Sequence, residues 1–169
     1  MKTQIRSNVF ETNSSSVHTI TISNNSPQRI DNYIFFDRGE YGWEWEIYNS
    51  CQDKANYLYE CMIDLFYHNN LLKEKCDRIR EELALYNVGC DFAEVNEDNV
   101  YYDGYVDHGN ENKELVDYLL DNPDKLINYL FNDTSYIATG NDNVDSTYYT
   151  WENSKPTNNE IQTQFIKWN

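Results

Sequence analysis

The sequence predicts an α+β domain: a mainly antiparallel sheet with about four helices packed on one side. Short runs such as Val17 to Ser23 and Trp43 to Tyr48 alternate with the two-residue period of strands. Two longer stretches, Ala55 to Phe66 and Leu72 to Tyr86, repeat their apolar residues at helical spacing. At 169 residues, with no internal repeat and no break in composition, the chain is read as a single domain, residues 1–169.

Ile5, Val9 and Phe10 sit among polar residues in Thr3 to Phe10, which reads as a half-buried strand. Val17 to Ser23 is a second strand, with His18, Ile20 and Ile22 on one face. Between them, Glu11 to Ser16 is rich in Ser, Thr and Asn, whose side chains compete for backbone hydrogen bonds, so the two strands are expected to form a hairpin around a polar turn. Asn24 to Asp31, with Pro27, reads as a loop. Tyr33 to Phe36 and Trp43 to Tyr48 follow as strands joined through Asp37 to Gly42; Trp43, Trp45 and Ile47 face one way, and Glu44, Glu46 and Tyr48 the other, toward solvent or a partner.

Ser50, with Asp53 three residues on, resembles a capping box and opens a helix whose stripe is Ala55, Leu58, Tyr59, Met62, Leu65 and Phe66. A second stripe, Leu72, Cys76, Ile79, Leu83 and Tyr86, ends at Asn87-Val88-Gly89, where glycine suits a left-handed cap. Its outer face mixes Lys73, Lys75, Arg78 and Arg80 with Glu74, Asp77, Glu81 and Glu82, and the two helices are expected to pair antiparallel across the sheet. From Cys90 to Val106 the chain turns irregular and acidic, with a strand predicted at Val100 to Tyr102. Lys113 to Leu120 reads as a short helix, and Asn122 followed by Pro123 opens another with Leu126, Ile127, Leu130 and Phe131 inward. Tyr136 to Ala138, Tyr148 to Trp151 and Ile161 to Trp168 supply the last strands, with an Asn/Asp-rich turn from Gly140 to Asp145.

Charge narrows the functional classes. Lys and Arg number 13 against 29 Asp and Glu, a net charge of −16. Such a field repels phosphate backbones and speeds association with basic surfaces, so direct, unaided nucleic-acid binding is not expected. The 15 Tyr and 4 Trp place much of the core in rings with polar edges. No apolar run approaches the ~20 residues of a membrane span, and no signal-peptide core follows Met1, so a cytoplasmic protein is expected. Cys51, Cys61, Cys76 and Cys90 show neither a CxxC pair nor zinc-like spacing and are read as reduced, packed thiols.

Of the three histidines, His68 ends a helix, where a cation is favoured, and reads as structural. Arg6, Glu11, Ser14, Ser15, Ser16, His18, Asp107 and His108 together offer a cation, hydroxyls, carboxylates and two imidazoles. If the fold brings them together, they suit acid–base cleavage of RNA or a nucleophilic Ser/His mechanism. The plainer account is a polar turn beside a core histidine. Asn141, Asn143, Asp145 and Glu152 match four positions of a calcium-loop spacing, but Ser146 stands where the loop needs glycine, so the segment reads as a turn and no metal or cofactor is expected. There is no Walker loop, GxGxxG, HExxH or GxSxG.

Three stretches together resemble a family of small, largely uncharacterised proteins of phages and other bacterial mobile elements. They are Arg6 to His18, containing Phe10-Glu11-Thr12-Asn13-Ser14-Ser15-Ser16; Gly39 to Glu44 with Asp53, Lys54 and Tyr57; and Val106-Asp107-His108 through Phe131-Asn132 to Gly140-Asn141-Asp142-Asn143. The family pattern prefers Ser where this chain has Asn110. The resemblance implies a mobile-element origin and action against host defence. It also couples the Ser-rich turn, Asn13 included, with Gly42, Trp43 and Glu44 and with Asp107 and His108, as a shared pocket, to which Asn141 and Asp142 are added as candidates. The leading expectation is a counter-defence inhibitor of the anti-CRISPR kind, working in the bacterial host cytoplasm. Its acidic surface docks on a basic host protein, such as a nucleic-acid-guided nuclease. The alternative is a metal-independent ribonuclease with His18 and His108 as acid–base pair and Arg6 steadying a phosphate. A structural phage component, forming a stable oligomer, is the third.

Overall fold

The computed structural model describes residues 16–42, 44–107, 112–141 and 161–167. Along the chain run β1 (Ser16–Ser23), β2 (Tyr33–Phe36), β3 (Glu40–Tyr41), β4 (Glu46–Tyr48), α1 (Cys51–Phe66), α2 (Leu72–Ala84), β5 (Gly89–Phe92), β6 (Tyr105–Val106), α3 (Lys113–Asp121), α4 (Pro123–Phe131), β7 (Tyr136–Asn141) and β8 (Ile161–Lys167). This is an α+β architecture. The main sheet has the order β4-β7-β1-β8 with every neighbouring pair antiparallel, and two short parallel pairs, β2 with β5 and β3 with β6, stand beside it. The strands predicted at Thr3 to Phe10 and Tyr148 to Trp151, and with the first of them the N-terminal hairpin, lie outside the described residues. No helix among the described residues is long and apolar enough to cross a membrane.

β1 is an interior strand, and both of its faces are buried. His18, Ile20 and Ile22 share the face that also carries Thr139 and Ile137 of β7, while Thr19 and Thr21 lie beside Ala138 and Tyr136 on the other. Alternation along His18 to Ser23 therefore separates two packed faces, one carrying His18, Ile20 and Ile22 and one of small hydroxylated side chains. Four other expectations are corrected. Glu40 and Tyr41, placed by the sequence in a connection, form β3, because its carbonyls and those next to it accept from the 105–107 backbone: Tyr105 N to Gly39 O at 2.9 Å and Asp107 N to Tyr41 O at 2.8 Å. Val100 to Tyr102 forms a turn, and the strands of that region are β5 and β6. The strand expected over 43–48 is β4, three residues long, and its apolar side is not the inner one: Glu44 and Glu46 are exposed as expected, but Trp45 and Ile47 are 44% and 40% exposed as well, and it is Tyr48 that is half-buried, edge-on to Tyr41 at 5.0 Å, while its hydroxyl reaches the Glu46 carboxylate. A tyrosine can face inward here because its polar end stays at the rim. Finally, the left-handed residue after α2 is Asn87, at φ 60°, and not Gly89.

α1 is the centre of the fold. Ser50 Oγ accepts from the Asp53 amide at 3.1 Å and caps its first turn. The helix packs against α2, α3, α4, β2 and β6, so it is buried nearly all round rather than along one stripe. Lys54, Tyr57 and Glu60 are therefore inside with the apolar residues, and each has partners. Lys54 Nζ donates to the carbonyls of Asn132 (2.8 Å) and Ser135 (3.1 Å), tying α1 to the turn before β7. Glu60 accepts from Arg38 Nε at 2.6 Å and Nη2 at 3.2 Å, and from the Gly39 amide at 2.9 Å. Arg38 spends its remaining donors on the carbonyls of Asn99, Val100 and Gly104, at 3.1 to 3.2 Å. Gly104 is required by space: a Cβ there would fall 2.1 Å from Glu60 Oε1 and 2.8 Å from the Gly39 nitrogen.

The buried titratable groups give stability a distinctive pH profile. Burial lowers the Lys54 pKa from 10.5 to about 8, and raises the thiols of Cys51 and Cys90 from 9.0 to about 11 and that of Cys76 to about 12. The folded chain thus holds the Lys54 proton more weakly than the unfolded chain, and stability from this group is lost as pH falls through 8 and gained as it rises toward 10.5. The thiols have the opposite sign, their contribution being complete below pH 9 and lost as pH rises toward 11 and 12. Between pH 8 and 9 the Lys54 gain, about 1 kcal/mol, is offset by a loss of about the same size summed over the three thiols, so the unfolding free energy is expected to stay nearly level there and to fall above pH 9. Urea midpoints across that range measure this. Lys54→Met should remove the offset, so that the fall begins near pH 8 and reaches about 1 kcal/mol by pH 9.

Candidate functional site

The site is built where four segments meet at one end of the main sheet. β1 brings Ser16 and His18, and β7 pairs with it in the register Ser16 to Asn141, Val17 to Gly140 and His18 to Thr139. The 40–44 segment crosses above: Thr139 Oγ1 donates to the Glu44 carbonyl at 2.6 Å, and His18 Nε2 lies 3.1 Å from the Gly42 carbonyl. The fourth segment, 105–107, is held to it by the β3–β6 pair and by the Asp107 amide on the Tyr41 carbonyl. Tyr105 lies over Gly42, with its hydroxyl 3.5 Å from where a Cβ of that residue would stand.

His18 is 0% exposed, and its Nδ1 lies 2.9 Å from the Tyr57 hydroxyl. A carbonyl oxygen only accepts, so Nε2 carries the hydrogen, and in the neutral ring Nδ1 accepts from Tyr57. Burial holds the fully enclosed Tyr57 hydroxyl well above its ordinary pKa and thus protonated, as a donor. An aromatic column continues from it: Tyr57 meets Tyr41 edge-on at 5.1 Å, and Tyr41 meets Tyr48. Tyr41 donates to the Asp53 carbonyl at 2.8 Å, and burial raises its pKa too. This places His18 as a joint between β1, α1 and the 40–44 segment. An acid–base role would require one of its two bonds to be released.

Of the residues expected to form a site, Ser16, His18, Gly42, Glu44, Asp107 and Asn141 are described, and all lie on these four converging segments. Glu44 is exposed and Asp107 half-buried. Arg6, Glu11, Asn13, Ser14, Ser15, Trp43, His108 and Asp142 lie outside the described residues, as do Asn143, Asp145 and Glu152 of the calcium-like spacing. Among the described residues no group of three His, Cys, Asp or Glu side chains is placed to hold a metal ion. His68 is exposed at the end of α1, where Nε2 meets the Tyr101 hydroxyl at 2.9 Å. A shallow groove elsewhere, along the outer face of α2, is lined by side chains of both signs, among them Lys73, Asp77, Arg78 and Glu81, and does not reach His18.

Gly42 and Tyr57 stand within the stretches that carry the resemblance, but nothing in the sequence marks the Tyr57 hydroxyl and the Gly42 carbonyl as partners of His18, and nothing there singles out Tyr105. Tyr57 lies off the apolar stripe of α1, and its role depends on a partner 39 residues away. Outside the joint, the surface is acidic and aromatic. Glu40, Glu44, Glu46, Glu94, Glu97, Asp98 and Asp103 are exposed, and so are Trp45, Tyr101, Tyr102 and Tyr105. From Glu81 to Asn112 the chain has no Lys or Arg; Arg38 reaches this stretch from within, paired with Glu60, and Arg80 lies at its start, 4.0 Å from Asp91. The chain matches no protein-family model, no curated protein and no solved structure.

Proposed function

We propose that the chain is a binding protein, a counter-defence inhibitor of the anti-CRISPR kind whose acidic face occupies the nucleic-acid groove of a basic host protein. The observation that carries this is the placement of charge. Seven of the 29 Asp and Glu, namely Glu94, Glu97, Asp98 and Asp103 with Glu40, Glu44 and Glu46, are exposed on two segments, 94–103 and 40–46, that contain no Lys or Arg. A partner groove built to hold phosphates is complementary to such a face, and the long-range field speeds the encounter. The same field opposes unaided binding of RNA, as does the engagement of both His18 nitrogens an acid–base role for that ring.

Competition is the test. Added to a basic nuclease holding labelled DNA or RNA, the chain should displace the nucleic acid at low salt, and its affinity should fall about tenfold or more between roughly 50 and 200 mM salt. Inhibition that persists unchanged at several hundred millimolar salt, or no competition with any basic nuclease, overturns the proposal.

A further inference from the structure

We infer that the docking face is the exposed pair of Tyr105 and Glu40 together with exposed Tyr102 of the same loop, and that its occupant is an arginine-bearing segment of the basic partner. This rests on the binding reading above and narrows it to one surface and one side-chain chemistry. Tyr102 is 81% exposed and Tyr105 48%, ring area that a chain rich in buried tyrosines leaves in water. Glu40 and Tyr105 are register partners on the parallel β3–β6 pair and both are exposed, so carboxylate and ring stand side by side on one face, about 4.8 Å apart along the sheet. Asp103 is exposed between the two rings in sequence. A planar guanidinium can lie on a tyrosine face while its fork of donors engages the neighbouring carboxylate, whereas a lysine ammonium is a compact, strongly hydrated charge that gains less from the ring.

This face is also held in place before any partner arrives. Arg38 bonds the carbonyls of Asn99, Val100 and Gly104 from inside, and Tyr101 is pinned against His68, with ring centroids 6.0 Å apart. Little ordering is left to oppose binding. Charge selects the occupant. Phosphate is repelled by the carboxylates, and a second copy of a chain carrying −16 is repelled as well.

The test titrates the full chain with oligo-arginine and oligo-lysine peptides of equal length near physiological salt. Oligo-arginine is expected to bind about 10-fold more tightly. Tyr102→Ala, at the most exposed position, should weaken oligo-arginine about 3-fold and leave oligo-lysine nearly unchanged, and adding Tyr105→Ala should bring the loss to about 10-fold. Thermal unfolding of both variants checks that the fold is kept. Equal affinity for the two peptides, no binding of either, or an unaffected Tyr102→Ala variant overturns the inference. A chain that displaces nucleic acid from a basic nuclease without preferring arginine keeps the proposed function and loses this surface. One that prefers arginine but competes with no nuclease does the reverse.

Discussion

Replacing Glu60 by alanine is expected to lower the unfolding free energy by about 3 to 5 kcal/mol. The Arg38 and Glu60 side chains are 6% and 1% exposed, so removing the carboxylate strands a guanidinium in the interior and leaves the Gly39 amide without its acceptor. Arg38→Met should cost a similar amount for the mirrored reason. It strands the carboxylate and frees the carbonyls of Asn99, Val100 and Gly104. Because the two residues act as one unit, the double variant should lose much less than the sum of the singles. Urea unfolding of the three variants measures this, and a cost under about 1 kcal/mol for either single would mean that the pair is solvated. The same knot fixes the loop that carries Tyr102 and Tyr105. A Glu60→Ala chain that is still folded at low temperature should therefore bind oligo-arginine less tightly, although Glu60 itself never reaches the surface.

That knot also shows where reading the sequence stops. The cap of α1 at Ser50, the inward face of α4 and the His18, Ile20, Ile22 face of β1 could all be read, because each depends on neighbours within a turn or along one strand. Lys54 and Glu60 could not. Charged residues are almost always outside unless paired, and here the partners stand 78 and 22 residues away. Two-residue strands such as β3 and β6 leave no periodicity to read, since a distant backbone segment decides their pairing. Nothing local in the sequence marks Gly104, because what it supplies is the absence of a side chain beside Glu60. At the site the same distinction holds. The residues His18, Glu44 and Asp107 could be named from the sequence, and the resemblance includes Tyr41, Gly42 and Tyr57, but not the bonds that give the segments their places, His18 to the Tyr57 hydroxyl and the Gly42 carbonyl and the Asp107 amide to the Tyr41 carbonyl.

His18→Phe is expected to destabilise the chain by about 2 to 4 kcal/mol, even though phenylalanine fills a similar volume. The substitution takes the acceptor from a buried tyrosine hydroxyl and the donor from the Gly42 carbonyl, and each group left unpaired costs about 1 to 3 kcal/mol. Tyr57→Phe removes only one of these bonds and should cost less, about 1 to 2 kcal/mol. On the Tyr57→Phe background, His18→Phe should cost correspondingly less, because the two share one bond. Urea midpoints of the four chains in this cycle separate a joint from a catalytic group. A ring that works as acid or base can be replaced with activity lost and stability kept, whereas a ring that positions the 40–44 segment loses stability first. The joint also lies directly beneath the proposed docking face, since Gly42 sits under Tyr105 and two residues from Glu40. If His18 acts through position, a folded His18→Phe chain should show weaker oligo-arginine binding together with altered Trp45 fluorescence. Loosening the joint changes the surface without touching any residue on it.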